Sequence, residues 1–195
     1  DLRDSYNGNR FSHASAIRRC LDHKNVSIIS FGIRNISQSE IPFLKKNKSR
    51  INIFWAKDKA KWSLQKFQKL IKNKTVYLTF DVDGFDSSIM PATGTPEPGG
   101  LFWDETLDII RIAAKNSNIV GADINELSPI KGFNSYNFLV AKLAYKILTY
   151  KYLYWAYIGL NVFNKNLNGI SIVNATNIFT VKSPNASETQ GIPVA

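Results

Sequence analysis

The sequence predicts an α/β fold with a mostly parallel sheet covered by helices. Three observations carry this. β-type and helix-type segments alternate four times along the chain, the pattern of strand–helix–strand units. Hydrophobic residues make up 44% of 195 residues, a length suited to one domain with a sizeable core. Carboxylates gather just beyond two of the strand-like segments, the edge at which open parallel sheets bind ligands.

The elements follow in order. "SHASAIRRCLD" reads as a helix with Ser12 as cap and Ala14, Ile17 and Leu21 on one face. Val26 to Arg34, "VSIISFGIR", is a β-branched run that reads as a buried strand. "SQSEIPFLKK" is a short helical or irregular piece interrupted by Pro42, and "INIFW" is a second strand. "KDKAKWSLQKFQKLIK" reads as an amphipathic helix whose apolar face holds Ala60, Leu64, Phe67 and Ile71. Thr75 to Phe80, "TVYLTF", is a strand. "WDETLDIIRIAAK" is a helix with acids in its first turn. "NIVGADI" is the fourth strand, and "SYNFLVAKLAYKILTY" a helix with Leu139, Leu143 and Ile147 stacked at helical spacing. From about Ala156 the signal decays to weak alternation around Ile170 to Val181 and a polar tail. The expected division is therefore a domain over residues 1–155 and a tail over 156–195.

Composition limits the functional classes. The single cysteine, Cys20, forbids an intramolecular disulfide and fits a reducing, cytoplasmic setting. No run of 18 apolar residues suggests a membrane span, and no signal peptide is visible. The net charge of +10 raises nucleic-acid binding through the stretch from Lys45 to Lys74, which has eleven Lys or Arg and one acid, Asp58. No aromatic-basic binding motif accompanies it, so a solvated lysine face is the simpler reading and no nucleic-acid partner is expected. From Asp81 to Glu126 the balance reverses, with nine acids against Arg111 and Lys115, which favours a cationic ligand.

"TFDVDGFDSSIMPATGTPEPGG", Thr79 to Gly100, is the most informative stretch. Asp81, Asp83 and Asp86 repel one another unless something positive sits among them. Residues two apart on a strand point the same way, so Asp81 and Asp83 can form a bite for an oxygen-preferring divalent cation such as Mn²⁺ or Mg²⁺. A pair of turn or capping aspartates is the competing reading. Three prolines and three glycines stiffen the next ten residues and would fix Thr93 and Thr95 near the strand end. Glu126, after "GADIN", can pair with a guanidinium or cap a helix. His13, in its helix's first turn, can shuttle protons or serve as a structural polar group.

"DVDGFDSSIMPATGTPEPGG" resembles the signature of the ureohydrolases, the family of arginase, agmatinase, guanidinobutyrase and formiminoglutamase; the "TGTPEPGG" spelling is most similar to agmatinase. "DLRDSYNGNRFSHASAIRR", "SFGIRNISQSE" and "VGADINELSP" resemble further family segments in the right order, from Asp1 to about Trp155. The resemblance implies an arginase-like three-layer α/β/α sandwich, N-terminally truncated in this chain, and two Mn²⁺ ions bridged by hydroxide. It implies Asp81 and Asp83 as metal ligands, Asp1 as the last ligand of an Asp-Ala-His-x-Asp motif, and His13 as a proton-transfer residue. Thr95 and Glu126 lie near the substrate guanidinium, with Glu126 as its charge partner. The implied reaction is hydrolysis of agmatine to putrescine and urea, in polyamine synthesis, by a trimer or hexamer. An early Gly-Gly-x-His segment and the Asp and His of the first motif do not occur in this chain, so weak catalysis by the chain alone is expected. Guanidinobutyrate or arginine as substrate, or an inactive remnant that only associates with a homologue, are the alternatives.

Overall fold

A computed structural model describes residues 2–166. Four strands and five helices alternate: α1 (Ala16–Cys20), β1 (Ile28–Ile33), α2 (Ile41–Lys46), β2 (Ile51–Trp55), α3 (Leu64–Ile71), β3 (Thr75–Asp81), α4 (Trp103–Asn116), β4 (Asn118–Asn125) and α5 (Asn134–Asn166). The architecture is α/β and every described strand pairing is parallel. The strands form two pairs, β1 with β2 and β3 with β4, and no described strand joins the pairs into one continuous sheet. Residues up to Lys151 form one compact unit.

The strands form where β-branched and aromatic residues can pack on a pleated surface. Under the first pair lies an aromatic cluster. Phe31 stacks on Phe54 at 4.3 Å between ring centroids, and Phe67 of α3 meets Phe31 edge-on at 4.8 Å. Trp62 closes the cluster at 5.4 Å from Phe31. Behind the second pair, α4 buries Leu107, Ile110, Ala113 and Ala114, and α5 buries Leu143, Ile147 and Tyr150. Leu143 and Ile147 are thus on the core face, as their spacing predicts.

Two expectations need correction. The helix expected over "KDKAKWSLQKFQKLIK" is two pieces: a 3₁₀ segment over Ala56–Lys61, then extended Trp62 and Ser63, then α3. The break is local chemistry. The Trp62 indole N–H donates to the Trp55 carbonyl at 2.9 Å, and the Ser63 hydroxyl accepts from the Lys66 N–H at 3.1 Å, starting α3 afresh. Ala60 therefore faces solvent, while Phe67 and Ile71 are buried as expected. The first helix likewise begins as a 3₁₀ turn over His13–Ser15, and the Ser12 hydroxyl caps no backbone N–H there. At α4, where Phe102 offers no cap, the Glu105 carboxylate accepts from the Phe102 N–H at 2.9 Å and takes over that role. The expected alternation around Ile170 to Val181 lies outside the described residues.

Candidate active site

The site is assembled at the C-terminal ends of β3 and β4. Parallel register sets Thr79 beside Asp123 and Asp81 beside Asn125, so the segment that ends in Asp81 lies against the one that leads into Glu126. Asp81 is the last residue of β3, and Asp83 sits in the 3₁₀ turn Val82–Gly84 that follows. Strand alternation therefore does not carry Asp83; the turn does. Val82, between them, is fully buried and anchors the turn. Solvent reaches Asp81, yet burial by its surroundings pushes its carboxyl above the usual aspartate range, and the carboxylates of Asp83, Glu126 and Asp123 push it further. Three of the four named carboxylates thus repel Asp81 at short enough range to matter, which is the electrostatic setting of a site for a cation.

The loop of Thr, Gly and Pro folds back on this edge. Thr93 bridges Leu127 in antiparallel fashion, and the Ser128 N–H donates to the Ala92 carbonyl at 2.9 Å. This pairing brings the loop alongside Glu126. Thr95 is carried with it, and its hydroxyl donates to Asp83 Oδ2 at 3.3 Å. Glu126 is exposed and held at φ 66°, the left-handed region that few non-glycine residues occupy. Such backbone positions cluster at functional sites.

Asp86 behaves differently from its neighbours. It is 9% exposed and accepts from the Ser88 hydroxyl at 2.5 Å, the Ser88 N–H at 2.9 Å and the Gly99 N–H at 2.6 Å. The Ser88 hydroxyl first, then the backbone N–H groups, hold its carboxyl at about 2. Its charge is satisfied by the loop it ties together, so the third aspartate of the motif needs no cation.

A polar ladder on the open face of β3 and β4 was not read from the sequence. Asp123 accepts from the Thr79 hydroxyl at 2.6 Å and the Asn125 amide at 2.6 Å. The Tyr77 hydroxyl also bonds to Asp123, and that bond raises the phenol above its ordinary pKa. Tyr77 lies across Gly121, where a Cβ would stand 2.7 Å from the ring. The signal was present in the alternation of Thr75, Tyr77, Thr79 and Asp81 along β3, which puts polar tips on one face.

His13 is placed elsewhere by its contacts: its exposed ring packs edge-on against Tyr6 at 5.6 Å. Among the described residues, no hydrogen bond or ion pair joins it to Asp81, Asp83, Thr95 or Glu126. Asp1 lies outside the described residues. Two neighbouring carboxylates are the right donor type for a hard divalent cation. Among the described residues, however, no three His, Cys, Asp or Glu side chains converge closely enough to hold a metal ion. The described residues therefore do not complete a metal site by themselves. No helix among them is long and apolar enough to cross a membrane.

Known proteins resemble this chain in sequence and in fold. Residues 1–149 match the family model described as "Arginase family". The chain is 37% identical over 153 residues to the N(1)-aminopropylagmatine ureohydrolase of Synechocystis sp., covering 77% of this chain and 49% of that protein. It is 36% identical over 150 residues to the agmatinase of Pyrococcus horikoshii, covering 76% of this chain and 51% of the relative. The crystal structure of the agmatine ureohydrolase of Thermoplasma volcanium superposes with a TM-score of 0.68 at 32% identity, over 80% of this chain and 53% of that one. The chain spans about half the length of the curated relatives it matches.

Proposed function

The chain belongs to the arginase family, and from that premise we propose that it acts as part of an agmatinase-like hydrolase that cleaves the guanidinium group of agmatine to give putrescine and urea. One observation supports this most. The Thr93–Leu127 bridge and the β3–β4 register gather Asp81, Asp83, Thr95 and Glu126 at one strand edge. An edge with that much unneutralised negative charge suits a cationic guanidinium and repels an anionic substrate.

We assign the roles as follows. Glu126, exposed beside Asp81, is the residue for charge pairing with the guanidinium. Thr95 steadies the Asp83 carboxylate through its hydroxyl. Asp81 and Asp83, with Asp1, would supply oxygen ligands to manganese, two ions per site. A divalent metal held there would supply the acidification of water that hydrolysis at neutral pH requires. His13 is assigned to proton transfer, which requires its loop to approach the strand edge when substrate binds. The catalytic region is assigned to residues 1–155, in a cytoplasmic homo-oligomer of three or six chains that takes part in polyamine synthesis.

The test is urea release from agmatine, with and without Mn²⁺. It is run on this chain alone and extended upstream through Gly-Gly-x-His and Asp-Ala-His-x-Asp segments. Mn²⁺-dependent urea that disappears in Asp83→Asn is the expected result in the extended protein. Mn²⁺ binding without agmatine turnover redirects the assignment to guanidinobutyrate or arginine. Absence of both in the extended protein overturns the hydrolase reading in favour of an inactive remnant.

A further inference from the structure

Arg34 stands just past the end of β1, away from the carboxylates that define the site, and its side chain is 14% exposed. Its guanidinium reaches across to the turn after β3. Nη1 donates to the Gly32 carbonyl and to the Gly84 carbonyl, both at 3.1 Å, and Nη2 donates to the Asp83 carbonyl. Nε lies 3.6 Å from Glu97 Oε2, as an ion pair without a hydrogen bond. The Glu97 carboxylate takes its hydrogen bonds from the next residue instead: Asn35 Nδ2 donates to both of its oxygens, at 2.7 and 2.8 Å. Glu97 belongs to the Thr–Gly–Pro loop, and its own carbonyl accepts from the Ser87 N–H at 3.3 Å.

We infer that Arg34 is a positioning residue for the proposed reaction: with Asn35 it clasps the Asp83 turn and the Pro91–Gly100 loop in one arrangement, so that Asp83, Thr95 and Glu126 keep a fixed spacing. The argument is one of topology. β1–β2 and β3–β4 share no ladder, so strand pairing cannot fix the end of β1 against the end of β3. Lys59 ties the far end of the loop, donating to the Gly100 carbonyl at 2.5 Å and pairing with Glu105 at 2.8 Å. Arg34 ties the near end, at the backbone of Asp83 itself. Only a planar fork can serve three carbonyls in different directions while its charge faces Glu97; a lysine ammonium can meet the charge but not the fan of acceptors. Such a guanidinium is also costly to lose, because the Asp83 carbonyl then loses its side-chain donor, although the Gly84 carbonyl keeps the Leu101 N–H.

This rests on the proposed function for its consequence, but the clasp itself is measured without turnover. Hydrogen exchange of the full chain is compared in wild type, Arg34→Met, Arg34→Lys and Glu97→Gln. Expected is at least about tenfold faster exchange at the Ser87 and Gly99 amides in Arg34→Met. Arg34→Lys should fail to restore it, and the amides of β3 upstream of Phe80 should be unchanged. Glu97→Gln keeps one Asn35 bond, to the remaining amide oxygen, and the backbone bonds of Arg34, so it should give a smaller effect and guards against simple misfolding. Unchanged exchange at Ser87 and Gly99 in Arg34→Met, or full recovery in Arg34→Lys, overturns the inference whatever the activity. In the agmatine assay, kcat should fall by up to about 100-fold with KM changed only a few-fold, since small misplacements of reacting groups cost that much. An extended wild type that neither binds Mn²⁺ nor hydrolyses agmatine sinks the functional proposal and leaves the exchange result to decide the clasp. A KM effect with unchanged kcat sinks the positioning role and leaves the proposed function standing.

Discussion

Gly100→Ala should unfold the site more than any other single methyl group added to the loop. A Cβ at Gly100 would stand 2.3 Å from the carbonyl carbon and oxygen of Phe85 and 2.5 Å from the Asp86 nitrogen. All three are backbone atoms, so no side chain can swing aside. The strand segments must part by roughly 1 Å to reach ordinary contact. Parting them breaks the Phe85–Leu101 bridge. Its two hydrogen bonds, Leu101 N–H to the Gly84 carbonyl at 2.8 Å and Asp86 N–H to the Leu101 carbonyl at 2.9 Å, are then lost. Two backbone bonds at about 1 kcal/mol each and an overpacking cost of about 1–3 kcal/mol give about 3–5 kcal/mol of destabilisation. For a chain of this size that lowers Tm by roughly 10 °C. The control is Gly94→Ala in the same loop, where an added Cβ meets nothing within 4 Å. Urea unfolding of both variants reads the difference directly. A Gly100→Ala loss under about 1 kcal/mol, or equal losses at both positions, refutes the account of how the loop is seated.

Asp81→Asn should raise the stability of the metal-free chain at neutral pH while removing Mn²⁺-dependent activity. Burial and its neighbouring carboxylates raise the folded pKa of Asp81, so its penalty grows as pH climbs from the ordinary aspartate value through that raised value; thermal melts from pH 3 to 7 should flatten in the variant. Asp86→Asn should do the opposite and destabilise. The folded pKa of about 2 means its contribution is fully present above the ordinary aspartate value and disappears as pH falls through 2, so wild type and variant should converge in acid unfolding near that pH. Phe67→Ala removes a ring that is 4% exposed at the centre of the aromatic cluster and should cost about 3–5 kcal/mol by urea unfolding.

The sequence reveals strands more surely than sites, and particular residues show why. The runs that become β1 to β4 are legible because β-branched and aromatic residues declare themselves within a few positions. The single helix expected from Lys57 to Lys72 fails at Trp62 and Ser63, because an indole N–H finding a carbonyl seven residues back is not a periodic signal. The site's membership is partly legible for the same reason. Asp81 and Glu126 follow strand ends, and register does the rest. Thr95 reaches Asp83 only because Thr93 pairs with Leu127, a contact between segments more than thirty residues apart that no local pattern encodes. Arg34 was invisible as a functional residue because all its partners near the site are carbonyls and one distant glutamate.

The two ends of the aspartate motif show where local reading can be sharpened. Asp81 and Asp86 are five positions apart and of one residue type, yet one carboxyl is pushed up and the other held at about 2. The difference is the supply of donors. Asp86 is followed two residues later by Ser88, the spacing at which an aspartate bonds its own downstream backbone N–H and hydroxyl. At the same spacing from Asp81 stands Asp83, which offers a second negative charge in place of a hydroxyl. A carboxylate whose i+2 neighbour is a donor closes a turn; one whose i+2 neighbour is another carboxylate is left to find its counter-charge in a ligand. Replacing Asp83 with Ser tests that division: the Asp81 pKa should fall toward the ordinary aspartate value. An Asp81 titration unmoved by that change would show that burial with Glu126 and Asp123, and not the paired charge of Asp83, sets the electrostatics of this edge.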